Sequence, residues 1–119
     1  MAKPNIVSVS SIYGTTAVGV LTTTLTTTLV TAASDKVLKI NVIRCTNITD
    51  NDATVTLDVE VSGTHKKIAN EVTVPANSVV DIVDKNSSFY LQETDLLRGG
   101  ASTGSAIDFM VSYEILDDA

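Results

Sequence analysis

Thr54-Val55-Thr56-Leu57-Asp58-Val59-Glu60-Val61 is the stretch whose reading decides the fold. Val55, Leu57, Val59 and Val61 fall on one face of an extended chain, and Thr54, Thr56, Asp58 and Glu60 on the other. Successive side chains of a strand point to opposite faces, so the alternation predicts an antiparallel strand with one face on a core and one in water. Upstream, residues 36–46 predict a second strand, with Leu38, Ile40 and Val42 turned one way and Lys39 and Asn41 the other. The Asn- and Asp-rich residues 47–52 between the two runs have the composition of a turn, and the pair reads as the best hairpin in the chain.

The same reading extends outward. Ser62-Gly63-Thr64 turns the chain into a strand over 67–74, which Pro75 ends because proline cannot donate to a ladder. Residues 78–83 and 88–91 predict two short strands on either side of Asp84-Lys85-Asn86. Residues 93–104 predict a loop, since Arg98-Gly99-Gly100 and Ser102-Thr103-Gly104 forbid a regular helix. A last strand over 106–116 turns Ile107, Phe109, Val111, Tyr113 and Ile115 inward, and Asp108, Ser112 and Glu114 outward. Toward the start, Ile6, Val7 and Val9 suggest a short strand and Tyr13-Gly14 a turn or bend.

Between these lies a threonine ladder, Thr22-Thr23-Thr24-Leu25-Thr26-Thr27-Thr28-Leu29. Residues 18–31 predict one long strand, or two broken near Gly19, with Leu21, Leu25 and Leu29 on one face and Thr22, Thr24, Thr26 and Thr28 on the other. The leucine spacing is helical, but β-branched threonine loses side-chain freedom in a helix and fits a pleated surface. Ala32-Ala33-Ser34-Asp35 makes the connection that follows, with Asp35 able to close an Asx turn. Many short strands at even spacing predict an all-β fold: an antiparallel β-sandwich of about eight strands, of jelly-roll or immunoglobulin-like type. The expected organisation is a single domain over 1–119 with a short N-terminal arm at about 1–17.

Composition narrows the function. Aromatic residues make up 4% of the chain and Trp is absent, so Val, Ile and Leu must build the core, and so thin a core gains from oligomerisation. Eight basic residues against fourteen acidic ones give a net charge of −6, which argues against a phosphate-neutralising nucleic-acid surface. His65-Lys66-Lys67 reads as a solvated polar turn. No apolar stretch approaches the roughly 18 residues needed to span a bilayer, and no leader-like apolar region follows Met1. Cys45 is the single cysteine, at the end of an apolar run where a thiol acts as a small buried hydrophobe. A reducing cytoplasm is the expected site of synthesis, so Asn47-Ile48-Thr49 and Asn86-Ser87-Ser88 read as chance matches to the glycosylation pattern.

Catalysis requires a positioned base, a nucleophile or a liganded metal. His65 is the one histidine, read as lying in a turn and without a partner pattern. Asp50-Asn51-Asp52 has oxygen ligands at alternate positions, but lacks the glycine and distant glutamate of a calcium loop and reads as an Asx-rich turn. Asp117 and Asp118 form a second acidic cluster at the end of the chain, while Glu93 and Asp95 near Arg98 read as loop charges. The glycines at 99, 100 and 104 do not follow the phosphate-loop spacing. No enzyme, cofactor or metal is therefore expected. Thr-x-Thr arrays on flat β faces order water in some ice-binding proteins, but those arrays repeat over stacked strands and this chain offers one. The plainer reading is an edge or interface: no charge lies between Val18 and Asp35, and soluble monomers protect their edges with Lys, Pro or bulges. Thr22, Thr24, Thr26 and Thr28 are the candidate interface.

A resemblance covers nearly the whole chain. It is carried by Asn5-Ile6-Val7, Ser11-Ile12-Tyr13-Gly14-Thr15-Thr16-Ala17, Lys36-Val37-Leu38-Lys39-Ile40-Asn41 and Ala53-Thr54-Val55-Thr56-Leu57-Asp58-Val59. It continues through Val74-Pro75-Ala76-Asn77-Ser78, Tyr90-Leu91-Gln92-Glu93-Thr94-Asp95 and Val111-Ser112-Tyr113-Glu114-Ile115. In this order the segments resemble a family of small virion structural proteins of tailed phages, particularly those of marine cyanobacterial phages. Ala32-Ala33-Ser34-Asp35 departs from the Pro-Ala-Gly-like turn of related chains.

The resemblance implies a non-enzymatic, many-copy subunit of the virion, made in the host cytoplasm. The first expectation is a capsid decoration or cement protein on the outer head surface, touching the major capsid protein or other virion proteins. A homo-oligomer is expected, with a trimer on a capsid three-fold as one form. A neck, tail or fibre component is the nearest alternative. A carbohydrate-binding β-sandwich is another, although the chain offers only Tyr13, Tyr90, Tyr113, Phe89 and Phe109 for stacking on sugars, and the expected core claims Phe109 and Tyr113.

Overall fold

A computed structural model describes residues 11–84 and 86–117. The short strand expected at Ile6, Val7 and Val9 lies outside the described residues, as do Lys85 and Asp118. The described chain is all-β and holds nine strands: β1 (Ser11–Val20), β2 (Thr27–Thr31), β3 (Lys36–Asn47), β4 (Ala53–Val61), β5 (Thr64–Val74), β6 (Val79–Val83), β7 (Phe89–Leu91), β8 (Leu96–Ala101) and β9 (Ile107–Asp117). They form two antiparallel sheets packed face to face. The first runs β1-β9-β3-β6, with β7 also on β3, and the second runs β2-β8-β4-β5. Inward side chains of both sheets make one aliphatic core, in which Ile40, Ile43, Val55, Leu57, Leu91, Leu97, Ile107 and Val111 are fully buried. Each such side chain contributes roughly 1.5–3 kcal/mol on burial.

Several expectations hold at the level of the strand. β9 turns Ile107, Phe109 and Val111 into the core and packs Tyr113 and Ile115 against it. β5 stops before Pro75. The Ser62-Gly63 turn is a two-residue hairpin loop between β4 and β5, with φ of 52° and 83° at its two residues. Positive φ at both positions is the hairpin geometry that matches strand twist, and glycine supplies one of them without strain.

Others are corrected. The two runs expected to pair as a hairpin, β3 and β4, lie in different sheets, so residues 48–52 form an arch across the sandwich. Tyr13-Gly14 is not a turn but part of β1, which pairs with β9 over its whole length, so residues 11–17 of the expected arm are sheet. The threonine segment is neither one long strand nor two broken at Gly19; the break falls over residues 21–26. Residues 93–104 are not all loop, since they contain β8, which sits between β2 and β4. The glycines of β8 are there for room. A Cβ on Gly99 would lie 2.7 Å from Leu57 Cδ2, and one on Gly100 would lie 2.7 Å from the Thr24 carbonyl oxygen. Finally, Val42 does not follow Leu38 and Ile40 inward. The β3–β9 register shifts between Ile40 and Val42, a bulge at Asn41 that hands the inward face to Ile43 and Cys45.

Candidate contact surfaces

The threonine segment enters its turn from a buried anchor. Leu21 is fully buried, its N–H donates to the Ile107 carbonyl at 2.9 Å, and its carbonyl accepts from Ser105 N–H at 3.3 Å. The next carbonyl, of Thr22, accepts from Ala101 N–H at 2.8 Å. The backbone then passes over Gly100, on the opposite side of β8 from the core leucines that meet Gly99, and Leu29 returns the chain to the core. Hydroxyls meet each other across this turn: Thr24 Oγ1 lies 2.8 Å from Thr26 Oγ1, and Thr22 Oγ1 lies 3.3 Å from both Thr24 Oγ1 and Thr27 Oγ1. Thr22, Thr24, Thr26 and Thr28 are all exposed, but only Thr28 belongs to a strand. They form no flat array, and the first three offer no strand edge.

Beside the turn runs an open polar groove of about 350 Å³, bordered by Thr23, Thr54, Thr56, Lys67, Asn70, Glu71 and Ser102. Thr56 Oγ1 accepts from the Glu71 N–H at 3.1 Å, and Ser102 Oγ accepts from the Thr54 N–H at 2.9 Å. Glu71 has φ of 51°, where β5 slips register against β4.

The Asn-rich arch spends its polar groups on the fold. Asn47 is buried, and its Nδ2 donates to the Val74 carbonyl at 3.0 Å and to the Asn51 carbonyl at 2.8 Å. Its Oδ1 accepts from Thr49 N–H at 2.9 Å and Thr49 Oγ1 at 2.7 Å. Asp52 Oδ1 accepts from Ala76 N–H and Asp50 Oδ1 from Asn77 Nδ2, both at 3.0 Å. The carboxylates thus hold the turn after β5 and not a hairpin of their own; the local Asx-type bond in this segment is the one that Asn47 accepts from Thr49 N–H. Among the described residues, no group of three or more His, Cys, Asp or Glu side chains could hold a metal ion.

His65 has partners that its sequence neighbours hide. Its Nε2 lies 2.8 Å from Glu60 Oε1 and its Nδ1 3.7 Å from Asp58 Oδ2. Asp58 is itself buried and takes a two-pronged ion pair from Arg98, at 3.0 and 2.7 Å, whose hydrogen bonds raise the guanidinium pKa further. The signal was available: a two-residue loop at Ser62-Gly63 places Glu60 opposite His65, and two residues of one strand face place Asp58 next to Glu60. Asp95 is buried too, and its carboxylate accepts from Gln92 N–H at 3.0 Å and Ser62 N–H at 3.3 Å, tying the β4–β5 turn to the start of β8. It is a clasp, not a loose loop charge.

On the outer face of the other sheet, Arg44 and Asp81 form an exposed ion pair at 2.7 Å, which lowers the Asp81 pKa. Cys45, one residue on, points into the core, where burial pushes its thiol up to about 12 and leaves it unreactive. At the β1 end of this sheet an open cleft of about 510 Å³ is lined by Val18, Gly19, Val20, Thr46, Asp108, Phe109 and Met110.

These surfaces can hydrogen-bond and pack. Among the described residues no helix is long and apolar enough to cross a membrane. In comparison with known proteins, the chain matches no family model and no curated protein.

Proposed function

We propose that the chain is a non-enzymatic contact module of a phage virion, a decoration or cement subunit bound to the outside of the head. The observation that carries this reading is the order of strands. With β7 taken as an extension of the β6 edge, the order β1-β9-β3-β6 over β2-β8-β4-β5 supports the jelly-roll type, and the chain changes sheet at every connection except β4–β5 and β6–β7. An immunoglobulin-like sandwich divides its strands differently. Jelly rolls recur in viral shells and in lectins, an argument by analogy of fold. It gains weight from the resemblance of the strand segments to small virion proteins.

The chemistry agrees with a scaffold that works by its surfaces. The buried polar side chains Asn47, Asp58 and Asp95 are all bonded within the fold. Several copies acting together, each touching the capsid protein, suit a small aliphatic core and an acidic exterior. The test is the particle. Mass spectrometry and imaging of purified virions from the phage that encodes the chain should find it in many copies on the head; a neck, tail or fibre position would move it there, and its absence from the particle would end the reading.

A second reading has one observation in its favour. The groove between the threonine turn and β5 presents Thr23, Thr54, Thr56, Asn70, Lys67 and Glu71, a set of hydroxyl, amide and charged groups able to bind a sugar. No aromatic side chain lines it, and stacking is the usual source of sugar affinity. A glycan array without hits removes this option.

A further inference from the structure

The four sheet edges are not treated alike. β5 carries His65, Lys66, Lys67 and Glu71, and its register against β4 slips twice. β2 has five residues and a register shift, β6 has five residues with Asp81 among them, and β7 has three. Shortness, charge and bulges are the devices that stop edges from pairing with other chains. β1 has none of them. It is ten residues long, pairs with β9 in unbroken register, and contains no charge and no proline. Among the described residues no strand covers its outer side. Ile12, Tyr13, Val18 and Val20 on this strand are four of the nine large hydrophobic side chains exposed among the described residues.

We infer that β1 joins two copies of this chain, pairing antiparallel with the partner's β1 across a two-fold axis at Thr16. The unpaired N–H and C=O groups of an edge select an extended strand as their occupant. The sequence of β1 selects its own copy. With Thr16 opposite the partner's Thr16, Tyr13 faces the partner's Gly19, Val18 faces the partner's Gly14, and Ile12 faces the partner's Val20. Each bulky side chain meets a glycine or an apolar neighbour, and no charge meets its own kind. Directly opposite residues share a sheet face, so the match holds on both faces at once. Moving the axis to Thr15 or Ala17 separates Tyr13 from Gly19 and Val18 from Gly14. At Gly19 the Phe109 ring packs directly over the backbone: a Cβ there would fall 2.7 Å from two ring atoms. Tyr13 of the partner, opposite Gly19 on the same sheet face, would meet no Cβ there and would stand beside the Phe109 ring that covers this glycine. A two-fold contact of this kind satisfies both copies and closes.

The pairing deepens the contact-module reading and rests on it only in taking the chain to assemble through its surface; position in a virion does not enter. Sedimentation equilibrium of the purified chain up to about 100 µM should give a dimer. Thr16→Lys sets two like charges together at the axis and should raise the dissociation constant by about tenfold or more, while Thr24→Lys, in the exposed turn, should leave it unchanged. Val18→Lys, at a side chain 74% exposed in the monomer, is the second variant should Thr16→Lys fail to fold. Register is read by cross-linking under mild oxidation. Thr16→Cys should form a disulfide dimer with itself, and Ile12→Cys should cross-link only when mixed with Val20→Cys, with buried Cys45 silent in each case. A monomer throughout, a trimer, or a dimer that tolerates both lysines and fails to cross-link through Thr16→Cys would overturn the inference. Mass in solution decides this pairing, whereas presence in particles decides the virion reading.

Discussion

Two of the three connections that carry the chain from the first sheet to the second are arches built on opposite chemistry. Residues 21–26 lead from β1 to β2, and residues 48–52 lead from β3 to β4. The second is held from within: one buried amide, Asn47, bonds the backbones of Thr49, Asn51 and Val74. The first is held from its ends and from beneath, by Leu21 and Leu29 in the core and by Gly100 under its backbone, while its hydroxyls bond one another in water. The difference teaches where a polar residue counts. A buried hydrogen bond has no substitute when lost, whereas water replaces an exposed one.

The sharpest break in this comparison is therefore Asn47→Ala. It leaves two carbonyls and one N–H without their side-chain partner inside the arch, and should cost about 3 kcal/mol in urea unfolding. Asn47→Asp should do no better, because it turns a carboxylate oxygen toward two carbonyl oxygens in a buried site. A loss below about 0.5 kcal/mol for both would show that the amide is not what holds the arch.

Next is Gly100→Ala. The added methyl would stand 2.7 Å from the Thr24 carbonyl oxygen and 3.0 Å from its carbon, so the backbone of the threonine arch must lift. The expected cost is about 1–3 kcal/mol, with faster hydrogen exchange at Ala101 N–H, whose acceptor is the Thr22 carbonyl. Unchanged exchange at Ala101 would mean that the arch does not rest on Gly100.

What the sequence revealed follows the same division. Alternation located most strands, and Asn and Asp between apolar runs marked the second arch as a turn. Composition cannot say whether strands on either side of a turn pair or part, and here β3 and β4 part because each finds partners distant in sequence, β9 and β8. The threonine arch was hidden because β-branched residues signal a strand, and what bends the segment is a glycine about 75 residues downstream together with the burial of Leu21. Likewise β8 read as a loop because Gly99 and Gly100 weaken any strand signal. Their purpose is visible only once Leu57 and Thr24 are packed against them. For the candidate interface, the absence of charge does not distinguish a turn from a strand edge: chargeless sequence covers both β1 and the threonine segment, and only the fold shows that Thr22, Thr24 and Thr26 lie in a turn while β1 is the long edge strand.

The smallest effects belong to the threonine hydroxyls, and they test the comparison from its other side. Thr26→Ala removes the partner of the 2.8 Å contact to Thr24 Oγ1, yet both groups face water. The expected cost is below about 0.5 kcal/mol. Replacing Thr24 and Thr26 together with Lys adds two charges to the turn, and should change neither the melting temperature by more than a few degrees nor the sedimentation coefficient. A dissociating assembly in that double variant would return the contact to the threonine segment and take it from β1. A cost near that of Asn47→Ala for Thr26→Ala would mean the hydroxyls act as a cooperative network, and that exposure alone does not decide which polar bonds hold an arch.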